Sequence, residues 1–353
     1  LLEDIPENIN LLPEIPAYTV LARPLKDVIK ERHFILAFGR IVGKIKARSY
    51  EKKRNIIDSG VGLEYSHKYT VPYMPKIQKQ KVYDMAISFL TPHYFVEQKV
   101  RAKKKIAWIH TDYSKVQINV ESELKMWKKY DKIVSISDAV TESFLKVFPD
   151  LKDKIVVIEN ILPEQLIYKQ MDEFDVSEEM FSEGVKLLSI GRYCYAKNFD
   201  NIPNICSRML NKGINITWYI IGFGVAEELI KEKIREEKME NHVILLGKKQ
   251  NPYPYIKACD IYVQPSRYEG KSVAVREAQL IKKPVIITNY STAKSQLENE
   301  IDGLIVPMEN KDCADQMVEI IQDVEKLRKI SEACSKRDYS NKREVQKLYK
   351  LFE

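Results

Sequence analysis

Two glutamates, Glu269 and Glu277, lie in the segment SRYEGKSVAVREAQ (266–279) with seven residues between them. The run IYVQP just before this segment is typical of a buried strand, and the residues after Glu269 predict a turn into a helix that begins near Ser272. The N–H groups and the positive end of such a helix form a seat for an anionic group. The alternative is one solvated loop carboxylate and one on a helix surface, and spacing alone does not decide between them.

Two cations, Arg192 and Lys197, stand in the segment LLSIGRYCYAKNFD (187–200), on a predicted loop between a strand and a helix. Gly191 allows the backbone to turn tightly there. Cations five positions apart suit a diphosphate, whose oxygens accept charge-assisted hydrogen bonds. The alternative is an ordinary basic surface loop.

The elements that would position these residues follow a strand-helix rhythm. The strand candidates are apolar along their whole length, so neither face of the sheet is expected to be exposed to solvent. This predicts a parallel, doubly wound sheet. In the second half of the chain the strand candidates are 185–190, 216–221, 242–246, 261–265 and 284–288, with predicted helices such as 199–213 and 224–238 between them. In the first half the strand candidates are 83–90, 104–110, 130–137 and 153–160.

The rhythm lapses between residues 160 and 183, which indicates an interdomain connection. We therefore expect an α/β protein with two Rossmann-like, doubly wound domains that face each other across a cleft, with ligands at the carboxyl ends of the strands. The expected domains are 1–165 and 166–335, and residues 336–353 are expected to form a C-terminal helix that packs back towards the N-terminal domain.

Composition narrows the class of protein. The 353 residues are 44% hydrophobic and 30% charged, as in soluble globular proteins. No apolar run is long enough to span a bilayer, and no secretion signal is visible. The five cysteines are widely spaced without a CxxC pair, which favours buried thiols in a reducing cytoplasm over disulfides or zinc. No Asp-x-Asp pair is present, so no metal site is predicted.

The net charge of +7 is concentrated at the start of the chain. Residues 1–110 hold 20 Lys and Arg against 11 Asp and Glu, a difference of +9, which leaves −2 for the remainder. Such a basic half suits an anionic surface. No RNA-binding signature, zinc-finger spacing or helix-turn-helix pattern is found, so acidic lipid is favoured over nucleic acid, and no nucleic-acid partner is expected.

One basic segment between Pro24 and Asn55 has apolar residues at helical spacing: Phe34, Phe38, Ile41 and Ile45. The cations around them are Arg32, Arg40, Lys44, Lys46, Arg48 and Lys52. A basic amphipathic helix of this kind lies in the headgroup region of acidic bilayers, which predicts peripheral contact with an anionic membrane. The alternative is a domain helix whose apolar stripe packs on the sheet.

In combination the two site segments resemble family 4 of the glycosyltransferases, which have the GT-B architecture. The resemblance rests on G-R-x4-K-N at 191–198, on Glu269 and Glu277, and on GKKQNPYPYIKACDIYVQPSRYEG (247–270). It extends over most of the chain, since YDMAISFL, KKIAWIHTDYSK and SISDAV resemble the N-terminal domain of bacterial capsule and cell-wall members. Two departures are expected: the opening strand, glycine-rich turn and helix are missing, and Lys271 and Arg276 replace positions that are often apolar.

The resemblance implies a retaining, metal-independent enzyme without a cofactor. It would move a sugar from a nucleotide diphosphate sugar, UDP-sugar above others, to a saccharide or lipid-linked acceptor. Arg192 and Lys197, after Gly191, would hold the diphosphate, and Glu277 would accept hydrogen bonds from the ribose. The donor sugar would be oriented by Glu269 and the backbone of Gly270, Lys271, Ser272 and Val273. The stretch near Lys249 and Gln250 would frame the base, largely through backbone groups.

His110 ends the strand candidate KKIAWIH and is the second catalytic candidate beside Glu269. A lone histidine is more often structural, but the carboxyl end of a parallel strand is where ligands bind. In similar enzymes a histidine here contacts the donor sugar. Two alternatives stay open: another GT-B enzyme, such as a nucleotide-sugar epimerase, and a non-catalytic, transferase-like subunit. The Arg192–Lys197 and Glu269–Glu277 pairs argue against the epimerase.

Overall fold

The computed structural model describes residues 8–56 and 59–352. The chain divides into two compact units. The first takes the chain up to Glu159 together with the residues from Gln346 onward, and the second runs from Asn160 to Val345. In the described part of the chain, each unit contains one parallel sheet with helices around it.

The first sheet has four parallel strands in the described residues, in the order β1-β2-β3-β4. They are β1 Tyr83–Ser88, β2 Ala102–Ile109, β3 Lys132–Ser135 and β4 Ile155–Val157. All four fall within or beside the runs predicted to be strands. The strand order never reverses, so this sheet lacks the change of direction that marks a doubly wound sheet.

The first unit is mostly helical before its first strand. Its helices are α1 Pro16–Thr19, α2 Leu25–Lys30, α3 Phe34–Arg54, α4 Val61–Thr70, α5 Tyr94–Lys99, α6 Val120–Trp127 and α7 Asp138–Val147. Short 3₁₀ turns cover Val71–Tyr73, Tyr113–Lys115 and Pro149–Lys154. The described residues that precede Tyr83 form helices and turns and contain no strand.

Helices α3 and α4 cross at very short range. A Cβ atom added to Gly39 would lie 2.4 Å from the carbonyl oxygen of Tyr69, and one added to Gly43 would lie 2.6 Å from that of Tyr65. Only glycine permits this approach of two backbones, because any side chain would collide with main-chain atoms. The pair of glycines therefore fixes which face of α3 points inward.

The second sheet has six parallel strands in the described residues, in the order β10-β9-β8-β5-β6-β7. They are β5 Val185–Ile190, β6 Ile216–Ile221, β7 Val243–Gly247, β8 Ile261–Gln264, β9 Val285–Thr288 and β10 Leu304–Val306. Every residue of β6 is buried, as expected for a parallel strand covered on both faces. The strand order reverses between β5 and β8, so this sheet is doubly wound as predicted.

Helices flank this sheet. They are α8 Glu164–Gln170, α9 Ile202–Asn211, α10 Glu227–Glu236, α11 Tyr253–Ala258, α12 Val273–Leu280, α13 Ala293–Gln296, α14 Asn310–Gln322 and α15 Val324–Ser335. Near the end of the chain lies α16 Val345–Lys350, and 3₁₀ turns cover Tyr195–Lys197, Phe199–Asn201 and Lys342–Glu344.

The junctions between the units lie earlier than residue 165 and later than residue 335. One backbone and one side-chain hydrogen bond lie close to these junctions. The Leu162 N–H donates to the Ser340 carbonyl at 2.8 Å, and the Asn341 amide donates to the Asn160 carbonyl at 3.0 Å. These bonds join the two ends of the second unit.

Candidate active site

The carboxyl edge of the second sheet brings the two predicted site segments together. Strands β5 and β8 pair directly where the strand order reverses, with Leu187 opposite Ile261 and Leu188 opposite Tyr262. The loop after β5 carries Arg192 and Lys197, and the loop after β8 carries Glu269. In doubly wound sheets, the loops at such a reversal diverge and leave room for a ligand.

Lys197 and Glu269 form an ion pair at this edge. The Lys197 Nζ atom lies 2.5 Å from Oε1 of Glu269, and the side chains are only 18% and 13% exposed. Ser266 donates a second hydrogen bond to the same oxygen at 2.7 Å. A Cβ on Gly191 would lie 2.9 Å from Cε of Lys197, so the missing side chain at Gly191 leaves room for the lysine.

Arg192 lies on the same loop but differs from Lys197. Its side chain is exposed, and within the described part of the chain the guanidinium has no ion-pair partner. An exposed guanidinium and a half-buried lysine thus place two cations at one strand end. This combination suits a ligand with several anionic oxygens.

Arg267 joins the two loops and was not predicted from the sequence. It donates to both carboxylate oxygens of Asp200, at 2.9 and 2.7 Å, and to the Tyr195 carbonyl at 2.7 Å. The Arg267 N–H also donates to the Ala196 carbonyl at 2.8 Å. The loop that carries Lys197 is therefore held against the loop that carries Glu269.

A third loop, after β6, supports the backbone around Gly191. A Cβ on Gly222 would lie 1.9 Å from the Gly191 carbonyl oxygen, and one on Gly224 would lie 2.4 Å from the Tyr193 carbonyl oxygen. The Tyr193 N–H donates to the Phe223 carbonyl at 2.9 Å. The G-x-G sequence, too short for a dinucleotide fingerprint, thus serves close packing between two loops.

Glu277 lies on α12, and a tyrosine holds its carboxyl group. The Tyr253 hydroxyl donates to Oε1 of Glu277 at 3.0 Å. Burial raises the pKa of Glu277, and the hydrogen bond from Tyr253 partly opposes that rise. Tyr253 lies within the segment that carries the family resemblance, but nothing in the sequence pairs it with a residue 24 positions away.

The turn that precedes α12 is fixed by Gln296. The Ser272 N–H donates to Oε1 of Gln296 at 2.6 Å, and the Ser272 carbonyl accepts from Nε2 at 3.2 Å. The Ser272 amide, expected to face a ligand, is therefore occupied in this structure. The helix begins at Val273 without a side-chain cap, which leaves its first amides available to an anion. Gly270 is buried and Lys271 is half-buried in the same turn.

Lys249 and Gln250 follow β7, as predicted. The Lys249 side chain forms an ion pair with Glu179 and lies 5.1 Å from the centre of the Tyr255 ring. Tyr255 donates to the other oxygen of Glu179 at 2.8 Å. The Lys249 ammonium is therefore engaged by side chains of the second unit. The Gln250 side chain is exposed.

In the first unit, His110 directly follows β2, at the carboxyl end where it was expected. Its Nε2 atom is buried and has no hydrogen-bond partner among the described residues. Burial lowers the pKa of His110, so the ring is neutral at physiological pH. The ring lies 4.4 Å from that of Phe89 and is stacked on Trp108 at 6.5 Å. A neutral imidazole with a free nitrogen can accept or donate one hydrogen bond.

His93, which has no distinctive sequence setting, lies at the same end of the first sheet. It is fully buried, and its Nδ1 atom lies 2.8 Å from Oγ of Ser88, the last residue of β1. Burial lowers the pKa of His93 to about 3, so this ring is neutral as well. Its position could not be read from the sequence, because it depends on the turn that follows β1.

The remaining sequence expectations concern thiols, metals and membranes. Four of the five cysteines are buried, Cys194 is half-buried, and all are free. The described residues contain no group of three or more His, Cys, Asp or Glu side chains that could hold a metal ion. No helix in residues 8–56 or 59–352 is long and apolar enough to cross a bilayer.

Each unit is built on a parallel sheet, and the likeness to the solved structures given below confirms the predicted α/β, GT-B fold class. Residues 170–339 match the family "Glycosyl transferases group 1". The match covers just under half of the chain, and for this part it confirms the resemblance to glycosyltransferases predicted from the sequence.

Known proteins with similar sequences and folds include bacterial transferases. An N-acetylgalactosamine-N,N'-diacetylbacillosaminyl-diphospho-undecaprenol 4-alpha-N-acetylgalactosaminyltransferase of Campylobacter jejuni is 24% identical over 206 residues, which cover 58% of this chain and 54% of that protein. A structure of a TarM variant from S. aureus, in complex with Fondaparinux, alpha-GlcNAc-glycerol and UDP, has a TM-score of 0.61 at 19% identity and covers 76% of this chain and 55% of that one.

HepE of Anabaena in complex with UDP has a TM-score of 0.59 at 17% identity, over 70% of this chain and 71% of that one. At such identities the structural likeness establishes the fold alone. The chain spans about half the length of the Campylobacter relative.

Proposed function

We propose that this chain is a retaining glycosyltransferase of family 4 that moves a sugar from a UDP-sugar to a saccharide or lipid-linked acceptor. The observation that carries the proposal is the Lys197–Glu269 ion pair beside Arg192, at the reversal of the doubly wound sheet. The family match of residues 170–339, the UDP in two structural neighbours and the diphospho-undecaprenol in the name of the Campylobacter relative support it.

On binding, the donor diphosphate would replace Glu269 as the partner of Lys197. Lys197 would turn from Glu269 towards the phosphate oxygens, and Arg192 would bind them from the solvent side. Glu269, released from the lysine but still held by Ser266, would accept hydrogen bonds from the sugar hydroxyls. Two cations at the leaving group favour the transition state, because negative charge on the diphosphate grows as the glycosidic bond breaks. The chain's own cations would supply this stabilisation without a metal cofactor.

Glu277 would bind the ribose and His110 the donor sugar. Each has a feature that supports its role. One oxygen of Glu277 is already fixed by Tyr253, and the Nε2 atom of His110 has no partner among the described residues. Lys249 and Gln250 would frame the base, and the amides that begin at Val273 would face the diphosphate sugar.

The direct test is to incubate the purified protein with UDP-, GDP- and ADP-sugars and saccharide or undecaprenyl-diphosphate acceptors, and to measure nucleotide release. We expect release from UDP-sugars that depends on acceptor and persists in the presence of a chelator. NMR of the product should show the anomeric configuration of the donor. Inversion would contradict retention, and no release with any donor would favour a non-catalytic subunit. Turnover without a glycoside product would favour an epimerase.

A second part of the proposal places the first unit on the cytoplasmic surface of an anionic membrane. The apolar row of α3, formed by Phe34, Phe38, Ile41 and Ile45, is between 39% and 61% exposed. The inward face of α3 is formed instead by Leu36, Ala37, Gly39, Gly43 and Ala47. Since these smaller residues already pack the helix onto the protein, the apolar row is free to enter a lipid headgroup region.

Cations surround the apolar row. Lys44 and Arg48 line a groove of about 570 Å³ together with Ile41 and Ile45. Arg40 lines the same groove, but its guanidinium donates to the carbonyls of Val20 and Arg23. Each cation near an anionic bilayer contributes roughly 1 kcal/mol, so several together hold a protein at the surface. A lipid-linked capsule or cell-wall precursor would be reached from this position.

Sedimentation with vesicles tests the membrane proposal. We expect binding to phosphatidylglycerol vesicles at low salt, none to phosphatidylcholine vesicles, and release as salt screens the attraction. The double variant Phe38→Ser, Ile45→Ser should lose binding. Phe181→Ser removes an aromatic ring that is 75% exposed in the second unit, and this control should bind as the parent does. Equal loss in both variants would contradict the assignment to α3.

A further inference from the structure

Tyr253 lies where it can control the carboxyl group of Glu277. Its hydroxyl donates to Oε1 of Glu277 at 3.0 Å, and no hydrogen bond to the other oxygen, Oε2, is found in the described part of the chain. One oxygen is therefore committed to the protein and the other is available to a ligand. We propose that Tyr253 is a positioning residue, which orients Glu277 so that Oε2 accepts hydrogen bonds from the ribose of the nucleotide. This inference rests on the proposed function and adds a residue to it.

The backbone of Tyr253 is itself fixed. Its N–H donates to the side chain of Asn251 at 3.0 Å. The Asn251 amide in turn donates to the Gln170 carbonyl and to Glu173, both at 2.8 Å. The Tyr253 ring packs against the hydrophobic core of the second unit. A hydroxyl on a rigid ring with a fixed backbone has little freedom, so it can impose one orientation on a flexible glutamate.

Burial gives this hydrogen bond a second effect. A desolvated carboxyl group favours its neutral form, which cannot accept from two hydroxyls as well as a carboxylate can. Burial raises the pKa of Glu277, and the Tyr253 hydroxyl lowers it by bonding to the charged form. Tyr253 would therefore keep Glu277 both aligned and ionised.

Tyr253→Phe removes the hydroxyl and keeps the ring. We expect it to weaken UDP binding by about threefold to tenfold, measured by calorimetry on the full chain. Glu277→Gln should weaken UDP binding by at least as much. In the Glu277→Gln background the tyrosine substitution should add little, because the two residues act on one contact. If the two losses multiply, the inference fails.

Ribose analogues show whether the effect passes through the ribose. With 2'-deoxy-UDP and 3'-deoxy-UDP, one of the hydroxyls that Glu277 would bind is absent. We expect the loss caused by Tyr253→Phe to shrink for at least one of these analogues. The acid limb of UDP affinity should also move to higher pH in this variant, because without the hydroxyl the carboxyl group protonates more readily. A merely structural defect would produce neither change.

Tyr168→Phe is a matched control. Tyr168 donates its hydroxyl at 3.3 Å to the carbonyl of Leu280, the last residue of α12, and so contacts the same helix without touching Glu277. This variant should bind UDP and both analogues as the parent does. Loss of UDP affinity in Tyr168→Phe equal to that in Tyr253→Phe would overturn the inference, because support of α12 would then explain both.

The outcomes separate this inference from the proposed function. One outcome is that Glu277→Gln weakens the binding of UDP more than that of the deoxy analogues while Tyr253→Phe shows no such difference. In that case the ribose role of Glu277 stands and the role of Tyr253 is refuted. If Glu277→Gln weakens UDP and both analogues equally, or weakens none, the ribose role itself fails. The inference then fails with it.

Discussion

The two units place their functional side chains on sheets of different design. In the second sheet the strand order reverses between β5 and β8, and three loops meet there around Lys197 and Glu269. In the first sheet the order β1-β2-β3-β4 runs without a reversal, and His110 stands beside the rings of Phe89 and Trp108. The second unit thus has a site made of paired charges, whereas the first has neutral imidazoles and a helical hairpin with an exposed apolar face.

Under the proposed function, this difference gives the two units separate tasks. Partly desolvated ion pairs are costly unless each charge is well bonded, as Glu269 is by both Lys197 and Ser266. Such an arrangement is suited to binding a charged donor that replaces one partner. The apolar row of α3 and its cations are suited to a surface instead of a small molecule. Each of the following experiments acts on one side of this comparison.

The largest expected effect is on catalysis in the second unit. Lys197→Ala and Arg192→Ala should each lower kcat more than they raise KM, because leaving-group charge is greater in the transition state than in the ground state. Loss of one such contact corresponds to about 3 kcal/mol, or roughly a hundredfold or more in kcat. Steady-state kinetics with a UDP-sugar measure it. Unchanged kcat in both variants would remove the phosphate site from this loop.

The next effect is on the stability of the first unit. In Gly39→Ala the new Cβ would lie 2.4 Å from the Tyr69 carbonyl oxygen, so α3 and α4 must separate. We expect a loss of about 2 to 3 kcal/mol in the free energy of unfolding, measured by urea denaturation of the full chain. Weaker binding to anionic vesicles should accompany it.

Gly62→Ala, in the neighbouring helix α4, is the control for the glycine at the crossing. A Cβ at Gly62 would meet nothing within 4 Å. Alanine favours a helix over glycine by about 0.5 to 1 kcal/mol, so this variant should be slightly more stable than the parent. If both alanine variants behave alike, the close crossing of α3 and α4 does not limit stability.

Sequence patterns predicted all the described strands of the first sheet and five of the six in the second, for a physical reason. Buried parallel strands are continuous apolar runs, and the strand candidates from 185 to 288 correspond to β5 to β9. Strand β10 was not among the strand candidates, whereas β4, which also has three residues, was. The α3 helix was readable because its apolar residues recur at helical spacing, and the structure shows that this row is exposed.

Positioning residues were beyond the reach of sequence patterns. Lys197 and Glu269 belong to recognisable segments, but the partners that hold those segments are distant in sequence. Arg267 bonds to Asp200, and Gln296 bonds to Ser272. These contacts depend on which strands are neighbours in the sheet. The sequence around a single arginine or glutamine does not indicate its partner. The same holds for Tyr253 and Glu277.

A moderate effect is expected on pH dependence through His110. Because burial lowers its pKa below the ordinary value near 6.5, the ring stays neutral to a lower pH than an ordinary histidine. We expect kcat/KM to stay constant between pH 7 and about pH 6.5, and to fall only at lower pH. His110→Gln keeps one hydrogen-bonding group, and it should lose roughly tenfold in kcat and the dependence on this protonation. A pH profile identical in parent and variant would exclude the role of His110.

The smallest expected effect is a gain of stability at the cost of binding. Burial raises the pKa of Glu277 in the folded state above its unfolded value, so the folded protein holds the proton more tightly than the unfolded chain does. At pH 7 the carboxylate therefore disfavours folding, and this penalty disappears as the pH falls below the unfolded value near 4.5. Glu277→Gln should raise Tm at pH 7 but not at acid pH, while it weakens UDP binding.

Glu179→Gln gives the opposite sign in the same unit. The hydrogen bond from Lys249 lowers the pKa of Glu179, so its carboxylate stabilises the folded state above the unfolded pKa, and this contribution is lost as the pH falls through the folded pKa. The variant should therefore lower Tm at pH 7, by an amount that shrinks in acid. Thermal unfolding of both variants across pH measures the contrast. If Tm at pH 7 falls in both variants, the Glu277 carboxylate stabilises the fold as the Glu179 carboxylate does. The two carboxylates would then not differ in role, one binding a ligand and the other supporting the structure.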